Sequence, residues 1–92
     1  MAQIKWSNSA LNDIRNIAEF IEKDSISYSK LMIDKLFKAI SRLEVFPRSG
    51  KIFQSLSLFE ILEIFVSPYR VLYSNQNDIV IILAIVHQKQ DL

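Results

Sequence analysis

The hydrophobic positions of this 92-residue chain change period twice, and each change marks a boundary between elements. Ile4 and Trp6 alternate with Lys5 in a short opening strand. Ser7 is a good N-cap for a helix whose apolar positions Ala10, Leu11, Ile14, Ile17, Ala18 and Ile21 step by three and four. Asp13, Arg15, Asn16, Glu19 and Glu22 fall on the other side of that helix. A polar link, Lys23-Asp24-Ser25, leads to a second helix capped near Ser25 or Ser27, with Leu31 or Met32, Leu36, Ala39, Ile40 and Leu43 as its inner face. Pro47 stops it, and Arg48-Ser49-Gly50 makes the turn. After Gly50 the helical period is lost. Leu58 to Val66 and Tyr69 to Ser74 read as strands joined at Ser67-Pro68, and Asn75 to Asp78 is turn chemistry before a last apolar strand, Ile79 to Val86, that ends in His87.

This order predicts an α+β fold: a short N-terminal strand, a helical hairpin, then a three-stranded antiparallel meander, with the helices packed on one face of the sheet. The other face is left for function. Leu83 is expected to lie in the most buried strand. Residues 1–92 are expected to form one domain.

Composition sharpens that picture. Half of the residues are hydrophobic, with one Gly and two Pro, so a core can form and apolar surface remains for a partner. The absence of Cys excludes a disulfide scaffold, a thiol nucleophile and thiolate metal sites, and a lone His argues against a metal centre; no cofactor is expected. The N-terminus has no apolar signal core, and the longest apolar run is eight residues where roughly 20 would span a bilayer. A cytoplasmic protein without a membrane contact is expected. Eleven Lys and Arg stand against ten Asp and Glu with no clustered window, so direct DNA binding is not expected.

The residues with chemistry lie near the C-terminus. Arg70 is set between Tyr69 and Tyr73 in strand-like sequence, where it either pairs with Glu63 or Glu60 across a hairpin or meets a partner. Strand alternation puts Tyr69 and Tyr73 on one face, as core residues with hydroxyls reaching water, and Arg70 on the other. A site using both Arg70 and Tyr73 would need a bulge or an edge location. His87 is suited either to a structural hydrogen bond or to general acid-base work. The apolar string Phe53, Leu56, Leu58 and Phe59 is longer than one strand face requires, which suits a partner groove.

These features resemble, together and in order, the RelE/ParE superfamily of bacterial toxins, and the ParE-like plasmid-stabilisation branch in particular. The resemblance rests on Ile4-Lys5-Trp6-Ser7 with Ala10, Asp13-Ile14 and Ile17; on Ile40, Leu43 and Phe46-Pro47-Arg48-Ser49-Gly50-Lys51; and on Glu63, Pro68 to Tyr73, and His87 with Asp91-Leu92. It implies the toxin of a type II toxin–antitoxin system, neutralised by a cognate antitoxin and acting by protein binding on DNA gyrase. Arg70, Phe53, Leu56, Leu58, Phe59 and Lys89 are the partner-binding candidates, the apolar string being the antitoxin groove. Many members carry an Arg immediately before the Glu aligned with Glu63 and another three residues after the His; here those places hold Leu62 and Gln90. The ribonuclease branch carries lysines at places that look like Ile61 and Glu63, where a carboxylate opposes phosphate chemistry. A ribosome-dependent mRNA endoribonuclease is therefore the alternative, with Arg70, His87 and Tyr73 as its catalytic candidates and the ribosome or mRNA as partner. A degenerate module that keeps only antitoxin binding is a second alternative, favoured by Leu62 and Gln90.

Overall fold

Two serine caps start the helical layer. In the computed structural model, which describes residues 1–89, the Ser7 hydroxyl accepts the Ala10 amide at 3.0 Å and opens helix α1 (Asn8–Glu22). Ser25, and not Ser27, accepts the Tyr28 amide at 3.1 Å and opens α2 (Ile26–Ser41). The two helices form a hairpin tied by the buried Ser29 hydroxyl, which donates to the Ala18 carbonyl at 3.0 Å. The inner face of α2 holds Met32, Leu36 and Ile40, while Leu31 is exposed, as is Leu11 on α1. A 3-10 turn (Arg42–Glu44) buries Leu43 before Pro47.

Five strands make one sheet: β1 (Gln3–Trp6), β2 (Lys51–Ser55), β3 (Glu60–Val66), β4 (Tyr69–Gln76) and β5 (Ile79–His87), in the order β1-β5-β4-β3-β2. The α+β architecture matches expectation, with two additions. β1 runs parallel to β5, from Gln3 opposite Ile79 to Trp6 opposite Ile82, so the sheet is mixed. The meander also gains a fourth antiparallel strand, β2. Its sequence hides it because a bulge between Ile52 and Gln54 breaks the alternation. β3 accordingly begins at Glu60, and Leu58 belongs to the loop. β4 extends to Gln76, and only Asn77 and Asp78 turn the chain, both with positive φ, at 53° and 59°. Such a two-residue hairpin requires left-handed residues at both centres, and Asn and Asp tolerate that conformation.

The helix-facing side of the sheet carries Leu62, Ile64 and Val66 of β3, opposite Tyr73, Val71 and Tyr69 of β4. Beside them on β5 lie Val80, Ile82 and Ile85, with Ile4 and Trp6 packed against this core from β1. Trp6 also meets Phe37 of α2, their rings 5.5 Å apart. Leu83 falls at a register shift where β5 has one residue more than β4, and it is only half-buried. The most buried positions of β5 are instead Val80 and Ile82.

α1 serves β5 with polar groups as well. Among the described residues β5 has no strand partner on the β1 side beyond Ile82, and the Ser7 amide donates to Ile82 O at 3.0 Å, the Ser7 hydroxyl to Leu83 O at 3.1 Å. The Asp13 carboxylate accepts the Ile85 amide at 2.9 Å. Asp13 thus faces the sheet, correcting its expected place on the solvent side of α1; a carboxylate there satisfies a strand amide that would otherwise be left unpaired.

Ile82→Asp, which places an unpaired charge in the closed core, is expected to unfold the domain, whereas Leu83→Asp should cost at least about 2 kcal/mol less. Chemical denaturation of the two variants measures the difference.

Candidate functional site

Alternation along β3 and β4 sends Glu63, Phe65, Arg70 and Leu72 to the sheet face away from the helices. Glu63 stands opposite Leu72 on one side and Lys51 on the other, while Phe65 stands opposite Arg70. The Arg70 guanidinium is anchored in two ways: Nη2 donates to the Gln88 carbonyl at 2.9 Å, and Nη1 lies 3.9 Å from Glu63 Oε2. Both side chains are about three-quarters buried, and Glu63 Oε2 has no hydrogen-bond partner among the described residues. Arg70 therefore takes Glu63 as its ion partner; Glu60 instead lies 3.7 Å from Arg48. Phe65 is 60% exposed on the same face.

Tyr73 points the other way, into the core, and its side chain is fully buried. Its hydroxyl donates to the Pro47 carbonyl at 2.9 Å and accepts the Gly50 amide at 2.9 Å. The phenol thus spends both its donor and an acceptor lone pair on backbone; the hydroxyl expected to reach water is instead satisfied internally. Gly50, the chain's single glycine, is required here, because a Cβ at that position would lie 2.6 Å from the Tyr73 hydroxyl and 2.7 Å from the Glu63 carbonyl.

His87 lies on the helix side, directly opposite Tyr69, their rings edge to face at 5.6 Å. Its Nδ1 accepts the Lys89 amide at 3.2 Å. With Tyr69, Phe20, Ile17, Ile85 and Asn16 it lines a cleft of about 390 Å³ between α1 and the sheet. Arg70, His87 and Tyr73 thus occupy three different environments: the outer face, the helix-side cleft and the closed core. The register shift in the β4–β5 ladder lies between Leu72 and Tyr73 and does not bring Arg70 and Tyr73 to one side.

The partner-binding candidates divide similarly. Leu56, Leu58 and Phe59 of the loop between β2 and β3 line a cleft of about 300 Å³ beside Leu62 and Asn75, on the helix side of the sheet. Leu58 is 86% exposed, and its carbonyl accepts the Gln76 side-chain amide at 3.2 Å. Phe53 sits half-buried at the β2 bulge, and Lys89 is exposed beyond His87. Arg70 belongs to the outer face, so these residues form separate surfaces. Leu62, which stands where many members of the superfamily carry an Arg, is buried opposite Tyr73; Ile61 is half-buried on the outer-face side of β3. Gln90 and Asp91-Leu92 lie outside the described residues. Sequence reasoning missed Phe65 and Lys51 as outer-face neighbours of Arg70 and Glu63. Phe65 was legible from strand alternation, whereas Lys51 depends on the bulged strand. Among the described residues no group of three or more metal-ligating side chains occurs, and no helix is long and apolar enough to cross a membrane.

A family model described as the ParE toxin of the type II toxin–antitoxin system parDE matches residues 4–92. No curated protein matches the chain. A solved structure, described as the chromosomal ParDE toxin–antitoxin system from P. aeruginosa, is similar in fold. It superposes with a TM-score of 0.74 at 15% identity, covering 95% of this chain and 96% of that one.

Two measurements test the geometry. Burial raises the Tyr73 phenol above its usual value of 10.0, the Gly50 hydrogen bond opposing this, and burial with the nearby Tyr28 raises Tyr69 likewise. A raised folded-state value means that the stability is fully present below the unfolded value and is lost as pH rises through the folded one. The two phenols should therefore add no pH dependence below about pH 9, and unfolding free energy should fall above about pH 10, less steeply in Tyr73→Phe. That variant should also lose about 2 kcal/mol at neutral pH, because the Pro47 carbonyl and Gly50 amide lose their partner. Denaturant titrations across pH read both.

In the second, Arg70→Gln should cost about 1 kcal/mol and the double variant with Glu63→Gln less than the sum of the two, because the carboxylate stranded by the first change is neutralised by the second. Thermal melts of the four proteins give the coupling.

Proposed function

The chain belongs to the ParE toxin family of type II toxin–antitoxin systems, and from that membership we propose that it arrests growth by binding DNA gyrase and is neutralised by a cognate antitoxin. The observation that carries the binding reading is the separation of Arg70, His87 and Tyr73. General acid-base cleavage of RNA needs its acid, its base and its phosphate clamp within hydrogen-bond reach of one scissile group. Here the phenol is spent on Pro47 and Gly50, and the guanidinium and imidazole lie on opposite sides of the sheet.

The outer face suits a protein contact. Phe65 and Ile81 offer apolar area, and Arg70, held by Gln88 and Glu63, offers a charge that needs little ordering on binding. The exposed loop residues Leu58 and Phe59, with Leu56, offer a second apolar surface, on the helix side, for the antitoxin. The similarity to a ParDE system supports a partner of that kind. Two surfaces on opposite sides allow a target and a neutralising chain to be recognised by different residues.

Expression of the chain alone is expected to stop growth, and the purified protein should inhibit gyrase supercoiling while leaving ribosome-bound mRNA uncut. Arg70→Gln should weaken that inhibition about tenfold while remaining folded. Codon-position cleavage in primer extension, lost in His87→Ala, would establish the ribonuclease instead. Co-expression with the small protein encoded beside it should yield a complex by size exclusion, and Leu58→Asp with Phe59→Asp should release the partner without lowering the melting temperature.

A further inference from the structure

We propose that His87 is a positioning residue for Arg70: from the helix side it holds the peptide group on which the guanidinium rests at the outer face. Arg70 Nη2 donates to Gln88 O at 2.9 Å, and the Lys89 amide donates to His87 Nδ1 at 3.2 Å. Gln88 O and Lys89 N belong to one peptide unit, which is trans and planar, so its carbonyl and its N–H point in opposite directions. The imidazole therefore grips one end of that plane and the guanidinium the other. Two side chains that lie on opposite sides of the sheet are joined through a single peptide group.

This plane needs holding. Gln88 and Lys89 are exposed and follow the last residue of β5, so no ladder fixes their backbone. The Gln88 amide donates to Pro68 O at 2.8 Å, but that bond fixes the preceding peptide unit and leaves the next one free to turn about the Gln88 dihedrals. The His87 bond acts on the very plane that Arg70 uses. Glu63 does not replace it: its Oε2 lies 3.9 Å from Nη1 and has no hydrogen-bond partner among the described residues, and an attraction of that length sets a distance without setting a direction. An arginine side chain loses much rotamer freedom when it is held, so a guanidinium ordered before contact binds at a smaller entropic cost. The inference rests on the reading of Arg70 as a contact to the target protein. It gives the chain's single histidine a use that involves no proton transfer.

Asparagine is the discriminating replacement. Its Oδ1 hangs from Cγ as Nδ1 does and can accept an amide two residues on, the bond of an Asx turn, whereas the Oε1 of glutamine stands one bond further out. His87→Ala, His87→Asn and His87→Gln all lose the ring that packs edge to face on Tyr69. A melting-temperature loss common to the three therefore reports packing, and differences among them report the hydrogen bond.

Nitrogen-15 NMR of the Arg70 guanidinium, assigned by its absence from Arg70→Gln, should show hindered rotation in the wild-type chain and in His87→Asn, and rotation at least about threefold faster in His87→Ala and His87→Gln. In supercoiling assays the Ala and Gln variants should inhibit gyrase about fivefold less well than the wild-type chain and the Asn variant within about twofold of it, while His87→Ala should add nothing to Arg70→Gln. A guanidinium equally hindered in all four chains, or equally free in His87→Asn and His87→Ala, would overturn the proposal, as would a His87→Ala loss that adds in full to that of Arg70→Gln. Absence of inhibition by the wild-type chain would count against the gyrase reading instead, and guanidinium rotation would then decide the positioning role alone.

Discussion

The hydroxyl of Tyr73 is the contact on which the sheet's second half depends. The chain leaves the helical layer at Pro47 and must enter the sheet by Lys51, a passage too short for secondary structure to satisfy its backbone groups. Tyr73 supplies one donor and one acceptor from the middle of β4, meeting Pro47 O and Gly50 N together. That fixes where the turn lies against β3, and hence that Lys51 comes opposite Glu63. The same closeness explains why the chain spends its single glycine there: any side chain at position 50 would collide with the phenol and with the Glu63 carbonyl. An apolar residue of similar size at position 73 would pack, but it would leave two backbone groups without partners.

A similar economy appears at the other end of the sheet. β1 is only four residues long and leaves β5 uncovered beyond Ile82. The start of α1 takes over, Ser7 serving both as helix cap and as donor to Leu83 O, and Asp13 accepting from Ile85. These bonds seat α1 on β5, while α2 lies over β3. The edge of β5 is thereby closed by side chains. At the other edge, β3 beyond Glu63 is paired only with β4 among the described residues, so the two ends of the sheet are closed unequally.

Much of the fold was legible because the stripes of both helices and the alternation of the β4 and β5 sequences are regular. Ser7 at the head of a three-four apolar pattern, Pro47 after Leu43 and the Asn-Asp turn all act locally, within a few residues of their effect. What stayed hidden depends on contacts distant in sequence. β2 was missed because its bulge spoils the period, and Asp13 looked solvent-facing because helical periodicity records the stripe and not a single strand amide waiting at the stripe's margin. The Tyr73 hydroxyl pairs with residues 23 and 26 positions away, which no local pattern encodes. The opposite placement of Arg70 and Tyr73 was legible from alternation alone. The location of His87 on the helix side required the register of β5, which its extra residue at Leu83 obscures.

Charge shows the same division between local and distant information. A balance of eleven against ten, with no clustered window, argues against a polyanion partner when the chain is read as a line. Folding redistributes it: a helical spacing of three and four residues aligns Lys35, Lys38 and Arg42, and the sheet brings Lys51 to the opposite border of the same edge. Net charge governs solubility and long-range attraction, whereas a local field of a few ångströms' extent decides which segment is admitted and in which register. Arg70, neutralised by Glu63 and fixed by Gln88, contributes little to that field. Arg70 is ordered by those two partners, whereas Lys35, Lys38, Arg42 and Lys51 stay exposed, so the cations of this small sheet divide into one that is fixed and neutralised and four that remain solvated.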